Sequence, residues 1–164
     1  MALIKPMVSS KSNEWETPQD LFDKLNNEFS FEIDVSANSL NAKCPKYFTI
    51  KENGLLQNWA PHTCWMNPPY GGQAGKWIEK AYLESLIGAT MVCLIVVGTD
   101  RSYWHDYIFP HAKQIRFLRG GLKFGKAKGK APFASAIVIF GTQEYDDKII
   151  YYPRKERLAQ GVLI

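Results

Sequence analysis

The sequence holds only three cysteines, Cys44, Cys64 and Cys93, and no CxxC pair. They stand in or beside apolar runs, which excludes a disulfide framework and fits buried thiols in a reducing cytosol. Its three histidines, His62, His105 and His111, share no ligand spacing with a cysteine or carboxylate pair, so no metal is expected. No stretch approaches the ~18 apolar residues of a membrane span, and Met1–Ser12 lacks an apolar signal core; no membrane partner is expected. Internal repeats and linkers are missing, and 164 residues suit a single domain with little room for a separate specificity module. Acid is missing from one region. Arg116, Arg119, Lys123, Lys126, Lys128 and Lys130 fall within fifteen residues that contain no Asp or Glu, in a chain whose formal charge is +4. A solvated basic loop explains that run; contact with nucleic-acid phosphates explains it better if it shares a face with a catalytic turn.

What remains is ordinary for a globular protein: 46% hydrophobic and 22% charged residues. Residues 1–13 are polar and irregular and read as a loose tail, 14–140 as the domain, and 141–164 as an extension packed on it. Thr17-Pro18 predicts a helix start, with Thr17 as N-cap, Pro18 at the first helical position and Asp20 in the first turn. Leu21, Leu25 and Phe29 then give that helix an apolar stripe. Strands are predicted at Phe31–Val35, Lys46–Ile50, Thr63–Met66, Ala89–Val97, Gln114–Leu118 and Phe133–Phe140, with a short one at Ile149–Tyr152. Helices are predicted over Lys76–Ile87 and from Asp100 to Tyr107. The near-continuous apolar run Ala89–Val97 reads as a strand buried on both faces. Strands alternating with helices predict an α/β fold, a mostly parallel central sheet with helices on both faces.

Thr63–Met66 runs directly into Asn67-Pro68-Pro69-Tyr70. A Pro-rich turn after a strand is the bland reading of those four residues. They also suit methyl transfer to a weakly nucleophilic amine. The lone pair of an exocyclic nucleobase nitrogen is delocalised into the ring; acceptors aimed at both N–H bonds favour a pyramidal, more nucleophilic nitrogen. The Asn67 side-chain oxygen and the Pro68 carbonyl are such acceptors, and the two prolines fix their directions. Tyr70 offers a flat face for an extruded base. A turn just past the carboxyl end of a strand lies where open α/β sheets bind ligands.

With these motifs in place, the chain resembles the phage-type (Dam-like) DNA N6-adenine methyltransferases. The likeness runs through Glu14-Trp15-Glu16-Thr17-Pro18, Phe31-Glu32-Ile33-Asp34, Asn41-Ala42-Lys43-Cys44 and Trp65-Met66-Asn67-Pro68-Pro69-Tyr70. It continues through Trp77 with Lys80-Ala81, Asp100 with Trp104, Arg116-Phe117-Leu118-Arg119-Gly120 and Ala131-Pro132-Phe133. The resemblance implies a Rossmann-like fold that uses S-adenosylmethionine to methylate adenine N6 in double-stranded DNA inside a bacterial host cell. It implies that Asn67, Pro68, Pro69 and Tyr70 hold the base, and that Trp15, Thr17, Pro18, Asp34, Asn53 and Asn67 border the cofactor. Arg101, Arg116, Arg119, Lys123, Lys126, Lys128 and Lys130 would meet DNA. Two departures stand out. Val35-Ser36-Ala37-Asn38 replaces the glycine-rich turn that most methyltransferases place after the first strand, and Gly121 interrupts an expected Arg-Gly-Arg.

Capping alone explains Thr17-Pro18, a turn carboxylate explains Asp34, and Trp15 can simply pack on the core. Trp77 and Trp104 read as core, whereas Asp100, after a buried strand, is a site candidate. Alternative acceptors are an RNA adenine, cytosine N4 or a protein glutamine; a different class of answer is a catalytically silent DNA-binding module. Monomer and homodimer both stay open.

Overall fold

The structure is a computed structural model and describes residues 15–152. The predicted N-terminal tail, Glu14 of the first motif and residues 153–164 of the extension lie outside the described residues.

One sheet organises the molecule: β1 (Ile33–Asp34), β2 (Lys46–Tyr47), β3 (Thr63–Met66), β4 (Thr90–Val96), β5 (Gln114–Leu118), β6 (Ser135–Phe140) and β7 (Ile149–Tyr152). Their spatial order is β2-β1-β3-β4-β6-β5-β7. β1 pairs in parallel with β2 and β3, β3 with β4, and β5 with β7. β6 runs antiparallel to both its neighbours, β4 and β5. The sheet is therefore mixed, with one reversed strand among the seven of the described residues.

Period-two alternation sends the strands' side chains into two separate cores. Cys64, Met66, Met91, Cys93, Ile95, Ala136, Val138 and Phe140 line one face. There they meet Trp77, Ile78 and Ala81 of α2 (Ala74–Leu86), together with Trp104 and Ile108. The last two come from a π-helical turn, Trp104–Ile108, which continues into α3 (Phe109–His111). On the other face Trp65, Val92, Leu94, Ile137 and Ile139 pack on Leu21, Phe22, Leu25 and Phe29 of α1 (Gln19–Phe29). Helices thus cover both faces. Each fully buried Leu, Ile or Phe adds about 1.5–3 kcal/mol. Trp104 is a core residue as read from sequence, 0% exposed; Trp77, 8% exposed, packs in the same core but also lines the cavity at the sheet edge. All three cysteines are buried and unpaired, and burial pushes the Cys44 and Cys64 thiols up to about 12.

The predicted cap is corrected. Pro18, extended at ψ 131°, takes the cap position of α1 with no side-chain cap bond, and its carbonyl receives Phe22 N–H. Thr17 sits one residue further out, and its hydroxyl is turned inward to another partner. Among the described residues no helix is long and apolar enough to cross a membrane.

Topology places the functional edge. From β1 the chain crosses one way to β2, and from β3 the other way to β4. Adjacent parallel strands whose connections leave in opposite directions open a crevice beyond their carboxyl ends.

Candidate active site

That crevice is a cavity of about 490 Å³, within the usual range of small-molecule sites. Asp34, from the end of β1, and Asn67, Pro68, Pro69 and Tyr70, from the turn after β3, line it side by side on adjacent strands. Phe48, Ile50 and Trp77 supply apolar wall.

Asp34 is 2% exposed and, among the described residues, has no cationic hydrogen-bond partner. Burial pushes its carboxyl up to about 6, against the backbone N–H bonds it receives from Ser36 (3.3 Å) and Lys43 (3.0 Å). The loop after β1 lacks glycine and is stapled instead by side chains. Asn38 Oδ1 accepts the N–H groups of Leu40 (2.8 Å) and Asn41 (3.0 Å), and Asn41 Oδ1 accepts that of Asn38 (2.7 Å). Such local bonds do what a glycine-rich turn does elsewhere: they let the backbone turn sharply with its donors satisfied. Gly54, itself buried, packs directly against this segment. A Cβ there would stand 2.2 Å from the Val35 carbonyl oxygen and 3.0 Å from the Trp77 ring. This accounts for the Asn53-Gly54 pair, with Asn53 accepting the left-handed conformation at φ 53°.

Asn67 is held at every polar group of its side chain and at its carbonyl. Its Nδ2 donates to Trp15 O (2.8 Å) and to Thr17 Oγ1 (3.0 Å). Its Oδ1 accepts Tyr70 O–H (2.9 Å), and its backbone carbonyl accepts Ser36 O–H (3.0 Å). With both amide hydrogens taken by acceptors, the rotation of the side chain is fixed. Tyr70 packs edge-on against Trp15, Phe124 and Phe133, with centroids 5.4, 6.1 and 5.7 Å away. Burial of its hydroxyl drives the phenol far above its ordinary value.

Most sequence-predicted residues gather here. Trp15, Thr17, Asp34, Asn53, Asn67, Pro68, Pro69 and Tyr70 line the cavity; Pro18 does not, because its ring is spent on starting α1. Asp100 and Arg101 are exposed beyond the end of β4, at the same edge of the sheet but off the cavity. Arg119, Lys123, Lys126, Lys128 and Lys130 are exposed on the β5–β6 loop, which also leaves from that edge. Arg116 has to be withdrawn from that basic surface. It is 4% exposed and forms a bidentate pair with Glu28 of α1 (2.5 and 2.6 Å) and a bond to Gln114 (2.8 Å), under the rings of Phe29, Tyr145 and Tyr152. A guanidinium paired and covered in this way is not presented to a phosphate. Gly121, the interruption of the expected Arg-Gly-Arg, has a steric cause: a Cβ there would lie 2.7 Å from the Ala131 carbonyl oxygen.

Sequence reasoning missed Ser36, Phe124 and the orienting use of Thr17. Among the described residues no group of three or more His, Cys, Asp and Glu could hold a metal ion.

A family model described as DNA N-6-adenine-methyltransferase (Dam) matches residues 6–161. Over 106 residues the sequence is 27% identical to the DNA N-6-adenine-methyltransferase of Haemophilus phage HP1 (strain HP1c1), covering 63% of this chain and 61% of that protein. It is 32% identical over 65 residues to "Putative methyltransferase YfdM" of Escherichia coli (strain K12), covering 35% of this chain and 71% of that one. The chain therefore spans less than two thirds of the phage relative it matches.

Proposed function

Because the chain belongs to the DNA N-6-adenine-methyltransferase (Dam) family, we propose that it transfers a methyl group from S-adenosylmethionine to the N6 amine of adenine in DNA, on a Rossmann-like methyltransferase fold. The observation that carries this reading is the Asn67 amide, oriented by two acceptors and lining a cavity that also contains the buried carboxylate of Asp34.

The donor set suits the cofactor. Asp34 accepts two backbone N–H groups and keeps lone pairs for an ammonium; Phe48, Ile50 and Trp77 give an apolar wall for an adenosyl group. When bound, S-adenosylmethionine supplies an electrophilic methyl on a sulfonium. The chain's own residues do the rest. Arg101 and the cations of the β5–β6 loop hold phosphates while an adenine leaves the stack, at a cost of about a few kcal/mol. Asn67 Oδ1, which has a second lone pair beside the one taken by Tyr70, accepts one N6 hydrogen, and the Pro68 carbonyl accepts the other. Tyr70 and its aromatic neighbours form the wall against which the base rests. No dedicated base is required, since the cationic product amine loses its proton to water readily. Proximity and orientation supply a large share of the acceleration.

The test is transfer of a labelled methyl group from the cofactor to duplex DNA, RNA and protein in parallel, with the modified nucleoside identified by mass. N6-methyladenine in DNA is expected. Label confined to RNA, to protein or to cytosine would overturn the assignment.

A further inference from the structure

Residues 15, 16 and 17 each hold Asn67, the β5–β6 loop, or both. Trp15 contributes its carbonyl to Asn67 Nδ2 (2.8 Å), and its ring packs on Phe124 (5.3 Å) and Phe133 (5.1 Å) of the β5–β6 loop. Glu16 receives, at its carbonyl, the N–H of Gly125 in the same loop (2.9 Å). Thr17, 4% exposed, accepts the other Asn67 Nδ2 hydrogen (3.0 Å). Three consecutive residues therefore join the Asn67–Tyr70 turn to the loop that carries Lys123, Lys126, Lys128 and Lys130.

The chemistry of a primary amide makes this arrangement consequential. Its oxygen and nitrogen ends are nearly the same shape, and a rotation of the group exchanges an acceptor for a donor. At residue 67 such a rotation would set a carbonyl oxygen against the carbonyl oxygen of Trp15, which cannot donate. It would also aim N–H groups at an amine that needs acceptors. The Thr17 hydroxyl, itself buried, holds the second hydrogen and so removes the remaining freedom.

We infer that Trp15–Thr17 is a positioning brace, which keeps the Asn67 oxygen toward the target amine and ties that orientation to the seating of the basic loop. Thr17 acts through Asn67 and is not a cofactor ligand. The inference rests on the reading of Asn67 as the group that polarises the base. It also explains why Asn suits position 67: an Asp there would direct a carboxylate oxygen at the Trp15 carbonyl.

Thr17→Val keeps the side-chain shape and deletes the acceptor; Thr17→Ser keeps the acceptor. Thr17→Val is expected to lower kcat on DNA about tenfold to a hundredfold, with cofactor affinity measured by calorimetry unchanged, and Thr17→Ser to restore it. Nuclear magnetic resonance supplies a readout independent of turnover. The Asn67 side-chain amide protons, identified as the pair missing from Asn67→Ala, should exchange slowly with solvent in the wild type and faster in Thr17→Val. Unchanged exchange in Thr17→Val, or a loss of cofactor affinity at undiminished kcat, would overturn the brace. Wild-type protein that methylates no DNA adenine would instead overturn the function proposed above, and the exchange measurement would still decide the brace.

Discussion

Two loops at the same edge of the sheet are built in opposite ways. The segment between β1 and β2 is closed by its own polar side chains: Asp34, Asn38 and Asn41 accept five backbone N–H bonds, and Gly54 packs against the Val35 carbonyl. The segment between β5 and β6 keeps its charges outward and is pinned by aromatic rings, Phe124 and Phe133 against Trp15 and Tyr70. A small ligand with a fixed outline calls for the first construction, in which polar atoms are placed before the ligand arrives. A long polyanion calls for the second, where attraction is delocalised and the anchor must resist being pulled. Asn67 lies where the two meet.

Breaking the meeting point should have the largest effect. Asn67→Ala is expected to lower kcat by about 10²–10³-fold, the scale for loss of one preorganised polar partner, with cofactor binding by calorimetry retained. Stripping the second loop comes next. Lys123→Gln, Lys126→Gln, Lys128→Gln and Lys130→Gln together should weaken DNA binding about a hundredfold at low salt. They should also flatten the log–log salt dependence by about 0.9 for each phosphate no longer neutralised. Fluorescence anisotropy across a salt series measures both, and cofactor affinity should not move.

Perturbing the first loop gives the converse. Asp34→Asn is expected to weaken cofactor binding about tenfold or more while leaving the salt slope intact. Its titration adds a signature. The Asp34 carboxyl titrates near pH 6, so wild-type cofactor affinity should fall as pH drops below about 6 and the acid becomes neutral; the Asn variant should show a flat profile there. Stability of the ligand-free protein runs the other way. The folded state keeps the proton to higher pH than the unfolded chain, so stability present below pH 3.8 declines as pH rises from 3.8 to about 6. Smallest for function is Arg116→Met. It should lower stability by about 2 kcal/mol, less than for a fully buried pair because Glu28 is 39% exposed, and leave the salt slope unchanged. Thermal melting and the same anisotropy series separate that outcome from a direct role in holding DNA.

Much of this layout was legible in the residues. Thr63–Met66, Gln114–Leu118 and Ile149–Tyr152 appear with the predicted bounds. The first strand is shorter than predicted, two paired residues in place of Phe31–Val35. Even so, Glu32 N–H to Thr63 O and Val35 N–H to Trp65 O extend its bonding on either side. The turn Asn67–Tyr70 was visible through its prolines and the strand before it. What could not be read depends on partners far away along the chain. Arg116 looked like one cation in a basic run, and its burial follows from Glu28, 88 residues distant and on another element. Thr17 looked like a helix cap, and only the fold brings Asn67 to its hydroxyl, 50 residues away. The π-helical turn at Trp104–Ile108 left no periodic trace that distinguishes it from an α-helix.

The reversal of β6 carries a final implication. Since β5 and β6 are hydrogen-bonded neighbours running in opposite directions, residues 119–134 leave and re-enter the sheet at one edge, as an excursion from a wide hairpin. Doubling the length of such an excursion costs only about 0.6 kcal/mol in closure entropy, and no other crossover in the sheet has to be rebuilt. Extra length is therefore tolerated in the exposed stretch between Gly125 and Lys130, provided Phe124 and Phe133 on either side keep their packing on Trp15 and Tyr70.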